Sequence, residues 1–169
     1  MFMHRFWAGL CLCLCLLLAV GPAAAQSPSA EQVQMYKKAV AALDAAEKKL
    51  AANDLAGAKA QVKEANALFA QLQNKHPDIL KARSLTAQQE AQWLQNNKMG
   101  EDSQNQGQKL ERSGQAKLQQ SETLTGQDDL ATKLAQEAKR ELQLAQKYFT
   151  QAEIYHLRNL QVALSFLAQ

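Results

Sequence analysis

Apolar residues recur along this chain at alternating steps of three and four, the spacing that lines one face of an α-helix. The longest uninterrupted stretch is the last, Asp128 to Gln169, which contains neither Pro nor Gly. In it Leu134, Ala138, Ala145, Tyr148, Ala152, Tyr155, Val162 and Phe166 fall on one side of a long helix. Past Arg158 the stretch becomes apolar on most of its circumference, which predicts a segment enclosed by other helices.

Upstream, Ser29 followed by Gln32 fits a capping box, and Val33, Tyr36, Val40, Leu43 and Leu50 keep heptad spacing broken only by Glu47. These predict a helix over about 30–52. Asn53 and Asp54 then suit a tight reversal. Leu55, Ala58, Val62, Ala65, Phe69 and Leu72 predict a second helix over 55–74, antiparallel to the first. The string Asn53-Asp54-Leu55-Ala56-Gly57-Ala58, with Val62 and Ala65 after it, resembles the turn and second helix of a tetratricopeptide repeat. No second copy follows, so the resemblance implies a shared way of packing two helices.

Pro77 breaks the chain and suits the first turn of a third helix, expected over 78–124, with Ile79, Leu80, Ala87, Ala91 and Leu94 on its apolar side. From Asn96 to Gln108 that pattern nearly vanishes. Either a polar loop interrupts the helix near 100–107, or Gly100, Gly107 and Gly114 line a groove for a closely packed helix. Their spacing of seven, with Trp93 seven before and Ser121 seven after, favours the groove. Gly126 marks a tip turn, and Asp128 and Asp129 suit the positive end of the final helix, expected over 128–168. The fold class is therefore all-α: an up-and-down helical bundle of about four helices, with helices 3 and 4 forming a long antiparallel, coiled-coil-like hairpin.

Composition adds a compartment. Residues 1–25 carry Arg5, an apolar run from Ala8 to Val20, and a small-residue end at Ala23-Ala24-Ala25. This is the pattern of a cleaved secretory signal peptide, followed by a short leader at 26–29, and it places the mature chain in a bacterial periplasm or outside the cell. After cleavage the chain has 144 residues (169 less 25), which make a single helical domain from residue 30 and include no transmembrane segment. Cys11, Cys13 and Cys15 all leave with the signal, so disulfides and thiolate chemistry are excluded. The mature balance, 18 Lys and Arg (19 less Arg5) against 16 Asp and Glu, does not suit a nucleic-acid partner.

Candidate chemistry is sparse. Glu153 and His156 form one Glu-x-x-His, half of what a di-metal bundle needs, and make only a weak single-metal candidate. Trp93, Tyr148 and Tyr155 are the candidate lining of an interior pocket. No phosphate loop or catalytic grouping is present, and no cofactor is expected. The expected function is a non-enzymatic periplasmic interaction or scaffold module, chaperone-like, binding another envelope protein around Gly100, Gly107, Gly114 and Gly126. Self-association through helices 3 and 4 is compatible with the pattern. The alternative is a helical bundle that binds a small ligand or metal.

Overall fold

A computed structural model describes residues 28–75 and 84–168. The expected signal peptide, the region around Pro77 and the expected start of helix 3 at residue 78 lie outside these residues. Four helices follow in order: α1 Ala30–Ala51, α2 Leu55–Lys75, α3 Ala87–Thr123 and α4 Asp128–Ala163, with a terminal 3-10 turn Ser165–Ala168. No strand occurs among the described residues.

The ends of these helices are set locally. Ser29 accepts from the Gln32 backbone while the Gln32 side chain accepts from the Ser29 backbone, satisfying two donors that the first turn of α1 leaves open. Between α1 and α2, Asn53 adopts φ +60°, a left-handed angle that Asn tolerates. Asp54 then caps α2: its Oδ1 accepts from Gly57 N at 2.9 Å and its Oδ2 pairs with Lys49 Nζ at 3.0 Å. The Gly57 backbone bond, and then the Lys49 bond, hold the Asp54 carboxyl below its ordinary value. The stabilisation this gives is present above that ordinary value and is lost as pH falls through the lowered one.

Helix α3 does not continue unbroken from residue 78. Residues 84–86 are non-helical, and Thr86 with Gln89 forms a second capping box that starts the helix at Ala87. The stretch 100–107 is helical, so the polar-loop alternative fails. Gly126, at φ +76°, makes the turn at the tip. At the other end the last helix stops at Ala163, short of residue 168, and tightens into the 3-10 turn.

The two hairpins are not equivalent layers. Among the described residues α1 and α2 pack on each other and on α4, while α3 packs along α4 and reaches the terminal turn only through Gln89, which donates to Ser165 Oγ at 2.8 Å. The second half of α4 is therefore the middle of the molecule, with α1 and α2 on one side and α3 on the other. This explains its apolar circumference: Ile154 and Leu157, with Leu164 and Leu167 just past its end, join Tyr36, Leu43, Phe69 and Leu72 in a single core. Tyr36 and Phe69 meet edge to face with ring centroids 6.5 Å apart. The break that Glu47 makes in the α1 heptads is also accounted for. Both Glu47 oxygens and Asp44 accept from Arg158 of α4, at 2.7 to 3.0 Å. Burial works against the Arg158 charge, but the bonds to Glu47 and Asp44 outweigh it and hold the guanidinium more firmly protonated.

The α1–α2 turn lies level with the middle of α4, where Lys147 Nζ donates to Asn53 Oδ1 at 2.7 Å. From Lys147 back to Asp128 the helix packed on α4 is α3. Among the described residues only Gln146, which accepts from Lys59 Nζ at 2.8 Å, and the notch residues Arg140, Gln143 and Leu144 still border α1 and α2. At 1.5 Å per residue, an arm of two helices extends about 30 Å past the base.

Candidate functional site

The arm is held by a seam in which glycines on α3 receive side chains from α4. A Cβ placed on Gly107 would lie 2.6 Å from Phe149 Cε1, and one on Gly114 would lie 2.9 Å from Leu142 Cγ and 3.1 Å from the Ala138 carbonyl oxygen. At Gly100 the neighbours are His156 Cε1 at 3.4 Å and Tyr155 Cβ at 3.5 Å. As the α3 position rises by seven, its partner on α4 falls by seven, so one antiparallel register runs the whole length. Between these contacts α4 contributes Ala138, Ala145 and Ala152, also seven apart and fully buried. Small residues on both helices allow the backbones to approach closely and leave the seam no room for a ligand. Asn159, buried on α4, donates through Nδ2 to Asn97 Oδ1 of α3 at the base end of the seam.

Three of the four glycines expected to face a partner are thus filled by the same chain. Gly126 is the exception: it is exposed at the tip, with nothing within 4 Å of its Cβ direction. The apolar side expected for helix 3 is also rotated away from α4. Ala87 and Ala91 are exposed and Leu94 is 67% exposed, because the glycine row takes the inner face. Toward the tip, Lys117 Nζ bridges Glu137 and Glu141 at 2.9 and 2.8 Å. Bonds to Glu141 and Glu137 raise the Lys117 pKa, and the Lys117 bond, helped by Ser113, lowers that of Glu141.

None of the three hollows beside α4 is lined by Trp93, Tyr148 and Tyr155 together. Tyr155 lines a shallow groove of about 240 Å³ between α1 and α4, with Leu50, Gln151 and Ile154, and neither Trp93 nor Tyr148 borders it. Trp93 and Tyr148 are each half-buried. Glu153 and His156 line a groove of about 400 Å³ between α2 and α4, opposite Lys59, Lys63 and Asn66. Two ammonium groups facing one carboxylate oppose a bound cation. Among the described residues no group of three or more His, Cys, Asp or Glu gathers. A third hollow, about 550 Å³, is the notch where the arm leaves the base, lined by Leu50, Leu55, Arg140, Leu144 and Lys147.

Sequence reasoning missed the lysines of the α2 groove, the notch, and the Arg158 cluster. Only the last had left a signal, in the Glu47 that interrupts the α1 heptads. Comparison of the chain with protein-family models, curated proteins and solved structures gives no significant match. No helix among the described residues is long and apolar enough to cross a membrane.

Proposed function

We propose that this chain is an exported, non-enzymatic interaction or scaffold protein of a bacterial periplasm, and that the α3–α4 arm is its working element. One observation carries the reading. The arm reaches about 30 Å beyond the core that stabilises the chain, with its inner face closed by glycines and its outer face solvent-exposed. An extension of that length adds little to the stability of the base, where the aromatic and aliphatic core lies. It does present two helix faces and a tip to another molecule. The signal-like residues 1–25 support export. Among the described residues, the groups whose pKa values are shifted, Tyr36, Asp54, Lys117, Glu141 and Arg158, owe their shifts to burial or to bonds that tie structural elements together. None of these shifts points to proton transfer.

A second reading, a carrier of a small ligand, rests on the α2–α4 groove. Its Lys59, Lys63 and His156 suit an anion better than a metal.

Deleting residues 115–137 and closing the gap with a short Gly-Ser linker removes the distal arm and spares the base. The protein should be recovered from the envelope fraction with Gln26 as its first residue. The shortened chain should stay helical but lose capture of its envelope partners. Retained capture without the arm would overturn the proposal, and a melting temperature raised several degrees by a small anion would favour the carrier.

A further inference from the structure

The outer face of α4 in the arm carries a charge pattern that is complementary to itself when read backwards. Asp129, Lys133, Glu137 and Arg140 follow one another at steps of four, four and three, which puts all four on one face, and all are exposed. Leu130 and Leu144 flank the row on the same side and are 45% and 42% exposed. In order the signs are negative, positive, negative, positive. A second α4 laid alongside in the opposite direction therefore meets four unlike pairs, whereas a parallel one held in register by a two-fold axis meets only like charges. From this we infer that the arm is the interface of an isologous, antiparallel dimer of this chain.

In that arrangement Asp129 faces the partner's Arg140, and Lys133 faces the partner's Glu137. The two-fold axis repeats both pairs. Alternating charges on a helix are often no more than a solvated face. Here, however, Asp129, Lys133 and Arg140 take part in none of the ion pairs among the described residues. Glu137 is bridged by Lys117 yet keeps 54% of its side chain exposed. The same register sets Leu144, at the edge of the notch, against the partner's Gly126, where no side chain stands in the way. The face is thus leucine-flanked, matched in charge, and continuous with a hollow that receives the other copy's tip. The dimer rests on the reading of the arm as an interaction element and names its partner.

The test uses the chain from Gln26 onward and its mass in solution, by sedimentation equilibrium at low and high salt. The wild type should be a dimer that weakens as salt rises. Asp129→Lys with Glu137→Lys makes the row wholly basic, and Lys133→Glu with Arg140→Glu makes it wholly acidic. Each variant alone should weaken association about a hundredfold or more, and mixing the two should restore a dimer with all four pairs matched. Circular dichroism on each variant separates repulsion from misfolding. A wild type that is monomeric at both salt concentrations overturns the dimer, whatever else binds the face. So do variants that self-associate as the wild type does, or a mixture of folded variants that stays monomeric. If a monomeric wild type still captures an envelope partner through residues 115–137, the dimer falls and the arm's role stands.

Discussion

Gly107→Leu should lower stability by about 2 kcal/mol or more, even though leucine is the better helix former by close to 1 kcal/mol. The reason is lack of space. The first carbon added at position 107 already falls 2.6 Å from Phe149 Cε1 and 2.7 Å from Cδ1, and leucine adds three more. Either the Phe149 ring leaves the seam or α3 lifts from α4. Phe149→Ala in the same chain vacates that space, so the double variant should recover most of the loss, and the two single effects should be strongly non-additive. Gly114→Leu provides the contrast. There the obstruction includes the Ala138 carbonyl oxygen at 3.1 Å, which no side-chain truncation removes, so Leu142→Ala should rescue it poorly. Chemical denaturation of the five variants checks both statements. Additive costs at 107 and 149 would mean that these residues do not share a seam.

Phe69→Ala should be costlier, about 3 to 5 kcal/mol. Phe69 is fully buried, packs edge to face on Tyr36, and joins α1, α2 and the end of α4 in the hydrophobic core of the described residues. For a domain of this size the loss is a large share of a total near 5 to 15 kcal/mol. Since α3 packs on α4 and meets the base beyond it only where Gln89 donates to Ser165 of the terminal turn, among the described residues, the damage should be uneven. Amide hydrogen exchange should show α1 and α2 opening at much lower free energy, while the amides around Gly107 and Ala145 are less affected. Uniform loss of protection in base and arm would show that the two act as one cooperative unit.

Much of this architecture could be read from residue spacing, because helix periodicity is a local property. The Ser29 capping box, the reversal at Asn53 and Asp54, and the Gly126 turn were each legible from one or two residues whose backbone preferences are strong. Helix α3 was harder. Its visible apolar residues, Ala87, Ala91 and Leu94, suggested an inner face, but that face is exposed. The glycine row wins because α4 offers a matching row of its own, Leu142, Phe149 and His156, and a knob needs a hole more than it needs another hydrophobic neighbour. That match depends on residues 28, 42 and 56 positions apart (142 less 114, 149 less 107, 156 less 100), which no local window compares. The start of α3 was legible in Thr86 and Gln89, a capping-box spacing outranked by the stronger signal of Pro77. Glu153 and His156 illustrate the opposite failure: a motif local to one helix says nothing of the lysines that the fold sets across from it.

The arm is the centre of this account, and its length can be measured within one molecule. The chain from Gln26 contains no Cys, so Asn74→Cys and Thr125→Cys place one spin label at the far end of the base and one at the tip of the arm. The labelled protein is diluted in unlabelled chains to suppress distances between copies. Helix α2 spans about 30 Å below the level at which the arm begins and the arm about 30 Å above it, so pulsed electron resonance should return a distance near 60 Å. A dominant distance below about 35 Å would mean that the arm folds back on the base, and would contradict the account.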